Sequence, residues 1–137
     1  MDSLLDTNIV SQRTKPRPDE RVVRWVSSQP QSSLFLSVAS LAEIRFGIEN
    51  TQHGRRREGY EYWFRHVLLP GFGGRVLRID ATIAEEAGRM IFKATKGGRK
   101  AEFADALIAA TARIHGLKIA TLNRKHFERL GVQLVDF

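Results

Sequence analysis

Four oxygen-bearing side chains stand where this chain passes from a short apolar run into a helical pattern, or close to such a point. They are Asp6, Glu43, Asp105 and Asn123. Their spacing along the chain allows each to come from a different strand–helix junction. If the fold gathers them, their charges repel, since two unit charges 4 Å apart cost about 4 kcal/mol at an effective dielectric near 20. A hard divalent cation removes that cost, and it can activate a water molecule to attack a phosphodiester.

Each acidic residue also has a purely structural explanation. Asp6 could cap the next helix, and Glu43 stands three residues after Ser40, as in a capping box. Asp105 is harder to explain in this way, because it lies in the most apolar helical stretch of the chain. An unpaired carboxylate is costly to bury there, so we expect Asp105 to have a metal or a basic partner.

Composition narrows the class of protein. The chain has 137 residues, which suits one domain, and 42% of them are hydrophobic, which is enough for a core. It carries 22 Lys and Arg against 15 Asp and Glu, a formal charge of +7, so a polyanionic partner is plausible. The absence of cysteine excludes disulfides, thiolate nucleophiles and cysteine zinc sites. With no signal-peptide pattern and no long apolar run, we expect a soluble, cytoplasmic protein.

Short apolar runs alternate with longer helical patterns along the chain. We expect strands at 3–5, 34–38, 75–79, 118–121 and 132–135. We expect helices after Asp19, from Ser40, over 55–69 ending at Pro70-Gly71, after Asp80 or Thr82, over 103–115 ending at Gly116, and over 126–130. This alternation predicts an α/β fold with a parallel sheet covered on both faces. In such sheets ligands bind at the carboxyl ends of the strands.

Three segments resemble the signature blocks of the PIN-domain family, in the family's order, and most closely the VapC-type toxins of the FitB-like branch. They are Leu4-Leu5-Asp6-Thr7-Asn8, Leu41-Ala42-Glu43-Ile44-Arg45-Phe46-Gly47 and 104–112. The resemblance implies a three-layer α/β/α sandwich with a mainly parallel sheet, formed as a single nuclease domain over residues 1–137. It also implies a ribonuclease that depends on Mg²⁺ or Mn²⁺, a homodimer, and neutralisation by a small antitoxin protein.

The resemblance also assigns roles to residues of this chain. Asp6, Glu43 and Asp105 would be the acidic metal-binding set, with Asn123 completing the pocket. Thr7, Asn8 and Thr121 would support that set through their hydroxyl and amide groups.

This chain departs from the family's pattern after the strand that ends near Asn123. Family members often continue there with a basic residue and an Asp-Phe pair, whereas this chain has Asn123-Arg124-Lys125-His126-Phe127. His126 therefore stands where the later aspartate would be. A neutral Asn123 offers a carbonyl oxygen without charge, so the binding of one or two metal ions stays open.

Two basic clusters are candidate contacts for an RNA backbone: Arg55, Arg56 and Arg57, and Lys96, Arg99 and Lys100. Each could equally be a solvated helix face, and phosphate contacts would position RNA without reading its sequence. The spacing of Tyr60, Trp63 and Phe64 favours a buried stripe or a dimer contact over base stacking. The four histidines are scattered, and we interpret them as structural or surface residues.

The leading hypothesis is a metal-dependent endoribonuclease toxin that cleaves RNA phosphodiester bonds with a metal-activated water. The alternative is a non-catalytic RNA-binding or interaction module that retains the PIN fold. A third is a phosphatase or nucleotide hydrolase that uses the same carboxylates. The sequence leaves open which RNA is cleaved, which antitoxin binds, and whether Mg²⁺ or Mn²⁺ is used.

Overall fold

The computed structural model describes residues 2–137, so the expected domain span of 1–137 is described from Asp2 onward, and Met1 lies outside the described residues. Within that range the strands are β1 (Ser3–Leu5), β2 (Leu34–Ser37), β3 (Val76–Leu77) and β4 (Lys118–Ala120). The α-helices in the same range are α1 (Thr7–Val10), α2 (Glu20–Ser28), α3 (Val38–Glu49), α4 (Arg55–Trp63), α5 (Leu69–Phe72), α6 (Ala81–Lys96), α7 (Phe103–His115) and α8 (Arg124–Glu128).

The strands form one parallel sheet in the order β3-β2-β1-β4. In the central pair, Leu4 lies opposite Ile119 and Leu5 opposite Ala120. Successive side chains of a strand point to opposite faces, so Leu4 packs into one core and Leu5 into the other. Buried side chains of α6, α7 and α8 cover the first face. Those of α1, α2, α3 and the π-helical segment Phe64–Leu68 cover the second. The predicted three-layer α/β/α sandwich with a parallel sheet is confirmed.

The most apolar helix, α7, lies directly against this sheet. Ala106, Ala109, Ala110 and Ala112 have no exposed surface, and their small side chains let the helix backbone come close to its neighbours. Gly116 ends the helix in the left-handed region at φ 68°, a conformation that glycine adopts without steric cost. This helix therefore carries Asp105 into the interior on a rigid support.

Three helix boundaries differ from the sequence-based expectation. The helix predicted over 126–130 is α8, which begins at Arg124 and ends at Glu128. Helix α3 begins at Val38, because the hydroxyl oxygen of Ser37 accepts a hydrogen bond from the Ala39 amide at 3.0 Å. The capping box predicted from Ser40 and Glu43 is therefore wrong. The chain also passes Pro70 in helical form, since a π-helical segment over Phe64–Leu68 leads into α5 and the proline stands in the first turn of that new helix.

The predicted strand at 132–135 is reduced to a single bridge between Leu134 and Ile119. The bridge is held by two backbone hydrogen bonds, from the Ile119 amide to the Gln133 carbonyl and from the Val135 amide to the Ile119 carbonyl. The strand expected at 75–79 is also shorter, and Asp80 rather than Thr82 caps α6 by accepting from the Ile83 amide at 2.9 Å. Helix α1 was not predicted, because four residues are too few to show a helical period.

None of the helices in residues 2–137 is both long enough and apolar enough to cross a membrane.

We expect Phe127→Ala to lower the free energy of unfolding by about 3–5 kcal/mol, because it leaves a cavity at a side chain that has no exposed surface. Urea denaturation measures this loss. The matched control is Phe92→Ala, which removes a ring that is 63% exposed and should cost less than about 1 kcal/mol. Equal losses in the two variants would contradict the burial assignment.

Candidate active site

Asp6 lies at the carboxyl end of β1, with its side chain only 5% exposed. Its Oδ1 accepts a hydrogen bond from the Thr7 amide at 2.8 Å, and its Oδ2 accepts one from the Thr121 hydroxyl at 2.8 Å. The parallel register of β1 and β4 brings Asp6 beside Thr121, because the residues before them are paired. Asp6 is thus both the cap of α1 and a buried carboxylate held by the neighbouring strand.

Burial raises the pKa of Asp6 above its ordinary value, and the nearby Asp105 carboxylate raises it further. The hydrogen bonds from Thr121 and Thr7 and the charge of His126 oppose that rise in pKa, but burial has the larger effect. The charged form of Asp6 is therefore less stable here than in water.

Two of the predicted supporting residues tie β4 to β1. The Thr121 hydroxyl oxygen, besides donating to Asp6, accepts a hydrogen bond from the Asn123 amide at 2.9 Å. The side-chain oxygen of Asn8 accepts one from the Leu122 amide at 3.2 Å. These bonds fix the turn after β4 against the start of α1. The structure thus brings Asn8 and Thr121 to the site.

Glu43 lies in the middle of α3 and contacts Thr7, the third of the predicted supporting residues. The Thr7 hydroxyl donates a hydrogen bond to Oε1 of Glu43 at 2.7 Å. Glu43 therefore faces the start of α1, and its partner is a threonine far away in the chain. Its charge also acts on Asp105, whose pKa it raises.

Asp105 lies in the first turn of α7 with its side chain 18% exposed. Burial is the main cause that raises its pKa, and the Glu43 and Glu102 charges add to it. The imidazole of His126 opposes this rise in pKa. Nδ1 of His126 lies 3.2 Å from Oδ2 of Asp105, so Asp105 has the basic partner that its burial requires.

The structure thus brings Asp105 within reach of the charges of both Asp6 and Glu43. Asn123 reaches the site through its backbone; its side chain is exposed and has no hydrogen-bond partner in the described part of the chain. His126 belongs to the site although the sequence suggested a structural or surface role. The signal that could have identified it is its position in place of an aspartate of the family pattern.

The donor set fits a hard divalent cation chemically, since it offers carboxylate oxygens that repel one another. Among residues 2–137, however, no three acidic or histidine side chains converge closely enough to hold an ion by themselves. Mg²⁺ does not require such a cage, because proteins usually bind it through one or two carboxylates, with water in the remaining positions. Asp6 and Asp105 suit that mode of binding.

The first basic cluster is partly engaged within the protein. Arg57 forms an ion pair with Glu49 at 3.2 Å, and the guanidinium of Arg56 packs over the Tyr60 ring and donates to its hydroxyl at 2.9 Å. Arg55 is exposed at the start of α4. Its predicted contact with RNA, like those of Arg56 and Arg57, stays a prediction.

The second basic cluster comprises Lys96, the last residue of α6, and two residues of the loop that leads to α7. Lys96, Arg99 and Lys100 are exposed, and the ammonium of Lys96 lies 5.7 Å from the centre of the Phe92 ring. Their predicted contact with RNA also stays a prediction.

The aromatic side chains of α4 and the π-helical segment were expected to form a buried stripe. Phe64 is buried in the core, and Tyr60 and Trp63 pack against that core.

A family model described as PIN domain matches residues 3–133. The chain belongs to the PIN domain family. Similar proteins include VapC ribonuclease Y4jK of Sinorhizobium fredii, 34% identical over 97% of this chain and 95% of that protein. Toxin FitB of Neisseria gonorrhoeae is 35% identical over 90% of this chain and 89% of FitB. The crystal structure of FitAcB from Neisseria gonorrhoeae matches with a TM-score of 0.92, at 33% identity, over 98% of this chain and 96% of that one.

The family that the sequence motifs suggested is therefore confirmed, and the chain is a homologue of VapC and FitB proteins. Further structures with the same fold include VapBC complexes from other bacteria, some of them bound to DNA. VapC ribonucleases of the PIN family depend in general on a divalent metal ion.

We expect Asp105→Asn to have a higher urea midpoint than the wild type at neutral pH in metal-free buffer. The folded-state pKa of Asp105 is raised, so its ionised form costs stability above that pKa, and the cost disappears as the pH falls through it. The difference in urea midpoint between the variant and the wild type should therefore become smaller as the pH falls from about 7 to about 4.

Asp19→Asn is the matched control, and we expect it to lower the urea midpoint at neutral pH. Arg21 lowers the pKa of Asp19, so its ionised form stabilises the fold at neutral pH, and that stabilisation fades as the pH falls. A lower midpoint for Asp105→Asn than for the wild type at neutral pH would contradict the assignment.

Proposed function

We propose that this chain is an endoribonuclease, the toxin of a type II toxin–antitoxin module, that cleaves RNA phosphodiester bonds with a divalent metal ion. The observation that carries the proposal is the buried Asp6 carboxylate beside Asp105, at the carboxyl end of a parallel sheet. Its membership of the PIN family and its VapC and FitB relatives support the same activity. We propose that residues 1–137 act as one nuclease domain in the cytoplasm.

Asp6, Glu43 and Asp105 would hold the ion, directly or through water, and Asn123 would complete the pocket with its amide oxygen. When bound, a divalent ion supplies a water of lowered pKa and offsets charge on phosphoryl oxygens. Thr121 and the Thr7 amide keep the Asp6 carboxylate fixed through the hydrogen bonds on its two oxygens. Such partners of a ligating side chain keep it oriented, and their loss weakens metal binding.

Mg²⁺ is the proposed ion, and Mn²⁺ suits the same oxygen ligands. Catalytic Zn²⁺ sites commonly have two or three histidine ligands. Among the described residues the structure brings one histidine, His126, to the acidic set, so the donor atoms favour Mg²⁺.

The charge distribution supports RNA as the substrate. The net charge is +7 although three of the acidic residues are drawn into this site. A positive net charge of this size favours binding of an extended polyanion such as RNA. Arg55, Arg56, Lys96, Arg99 and Lys100 are the proposed contacts with the RNA backbone, with Arg57 as a further candidate that is partly used by Glu49.

We expect Asp105→Asn to reduce metal-dependent cleavage of RNA by more than about a hundredfold, because loss of residues that merely orient metal ligands already costs about 10- to 100-fold. The measurement is cleavage of total RNA with Mg²⁺ or Mn²⁺, and with EDTA. Asp136→Asn is the matched control, since Asp136 is exposed and pairs with Arg124 at 3.3 Å. It should cleave like the wild type.

Full activity of Asp105→Asn would refute the assignment of the metal site. Binding of RNA without any metal-dependent cleavage would instead favour the alternative, a non-catalytic module that retains the fold. Hydrolysis of free nucleotides or phosphate monoesters, with RNA left intact, would favour the phosphatase hypothesis.

We propose that a small antitoxin protein binds this chain, as the toxin–antitoxin relatives suggest. An apolar groove of about 430 Å³ between α2 and the π-helical segment is the surface that we propose for it. Apolar side chains that line it include Val10, Val23, Val26, Trp63, Val67 and Phe72. We also propose a homodimer, for which Phe46 and Phe103 offer exposed apolar surface.

We expect Val23→Glu to weaken co-purification with the product of a short neighbouring gene by about tenfold or more, because a buried unpaired charge costs more than the 1.4 kcal/mol that a tenfold change represents. Val23 is 40% exposed and lines the groove. Arg24→Glu introduces the same side chain on an exposed position of the same helix, outside the groove lining. If both variants weaken the complex equally, the groove is not the binding surface.

A further inference from the structure

Phe92 lies on the outer face of α6 and has no part in the site described above. Its ring is 63% exposed. The buried face of the helix is formed by other residues, namely Ile83, Ala87, Met90 and Ala94. A single exposed apolar side chain is ordinary on a protein surface, so the surroundings of the ring decide whether it can bind a ligand.

The ring of Phe92 is open on one side and has a cation beside it. A long side chain in a helix leans over the turn before its own Cα, and that turn contains Gly88. No side chain beyond the chain neighbours of Gly88 lies within 4 Å of the place that a Cβ would take there. A shallow depression therefore lies next to the ring, lined also by Glu85 and Arg89. The ammonium of Lys96 lies over the ring, 5.7 Å from its centre.

The end of α6 and the loop after it are strongly basic. From Phe92 to Lys100 the chain has four cations and no acidic residue. The four are exposed, and among residues 2–137 none of them forms an ion pair with a carboxylate. They are Lys93, Lys96, Arg99 and Lys100. Their charges are therefore available to a ligand that carries negative charge.

The packing of α6 against α7 places this basic surface at the same end of the molecule as the acidic site. Oε1 of Glu86, in the second turn of α6, lies 3.8 Å from Nη1 of Arg113, in the last turn of α7. The two helices therefore run antiparallel, and the end of α6 lies beside the start of α7. Asp105 stands in that first turn of α7. The loop cations thus come between Phe92 and Asp105 along the chain.

The arrangement fits a single-stranded RNA better than a second copy of this chain. In a two-fold dimer the same patch would meet itself, so the four cations of one copy would repel the four of the other. A polynucleotide supplies the complementary groups, with phosphates for the cations and flat bases for the ring. Only unpaired bases can stack in this way, because a duplex keeps its bases stacked inside.

We propose that Phe92 binds single-stranded RNA by stacking one unpaired base on its ring, while Lys93 and Lys96 contact the flanking phosphates. Arg99 and Lys100 guide the strand on toward Asp105. This inference rests on the proposed ribonuclease activity for the identity of the ligand. It goes beyond that activity because it assigns a base-binding subsite to a helix that supplies none of the acidic residues of the site.

The test is binding of a fluorescent single-stranded RNA of about ten nucleotides, measured by fluorescence anisotropy in EDTA so that the RNA stays intact. We expect Phe92→Ala, which should fold because the ring is exposed, to weaken binding by about tenfold, within the range that loss of one stacked base costs. Phe92→Leu keeps an apolar side chain without a π-face and should lose a similar factor. Phe92→Trp keeps a π-face and should bind at least as tightly as the wild type.

The salt dependence of binding separates the base from the phosphates. Each phosphate contact on a single strand contributes about −0.7 to the slope of log K against log salt concentration. Lys93→Gln should therefore make the slope shallower by about 0.7, and Phe92→Ala should leave it unchanged. A strand of the same length without bases carries the same phosphates, so it should bind the wild type and Phe92→Ala equally.

Tyr62→Ala is the matched control for loss of an exposed ring, because Tyr62 is 64% exposed on α4, outside this patch. It should bind the RNA like the wild type. Equal affinities of the wild type and Phe92→Ala, an equal loss in Tyr62→Ala, or no binding by the wild type would overturn the inference. A poly-glutamate peptide that binds with the same dependence on Phe92 would overturn it in favour of a protein ligand. The proposed nuclease is tested separately, by metal-dependent cleavage with Asp105→Asn.

Discussion

The buried carboxylate of Asp6 is the constraint on which the site depends. A charge with so little exposure needs fixed partners, and it has the Thr7 amide on one oxygen and the Thr121 hydroxyl on the other. The second partner exists only because β1 and β4 are parallel and in register, with Leu5 opposite Ala120. A slip of one residue would turn Thr121 to the other face of the sheet. The register of the central strands therefore determines whether the site can form.

The ionised carboxylates of the site lower the stability of the folded protein. Asp105 raises the pKa of Asp6, and Glu43 raises that of Asp105, so ionised Asp105 is disfavoured by the carboxylate on either side of it. Fully buried alanines anchor α7 in the core, so the packing of this helix holds Asp105 at the site despite that cost. Conflicts of this kind between local energetics and fold are expected at functional sites. Here the conflict creates the negative potential that a divalent ion would neutralise.

Local patterns in the sequence were sufficient to predict the parallel α/β fold, the position of Asp6 at the end of β1 and the glycine that ends α7. They were insufficient to predict features that depend on contacts between residues far apart in the chain. Ser40 and Glu43 have the spacing of a capping box, but Ser37 caps α3, and Glu43 accepts from Thr7, which lies on another element. The role of His126 was missed for the same reason, because its partner Asp105 is on a different helix and only the packing of α7 against α8 brings the two together.

Helix α8 shows how the core and the site are joined. Phe127 is fully buried in the core between the sheet and α7, and its neighbour His126 faces Asp105. Consecutive residues of a helix point in directions about 100° apart, so the buried ring fixes the direction of the residue before it. Whatever side chain stands at position 126 is thus presented to Asp105 at a place set by the core.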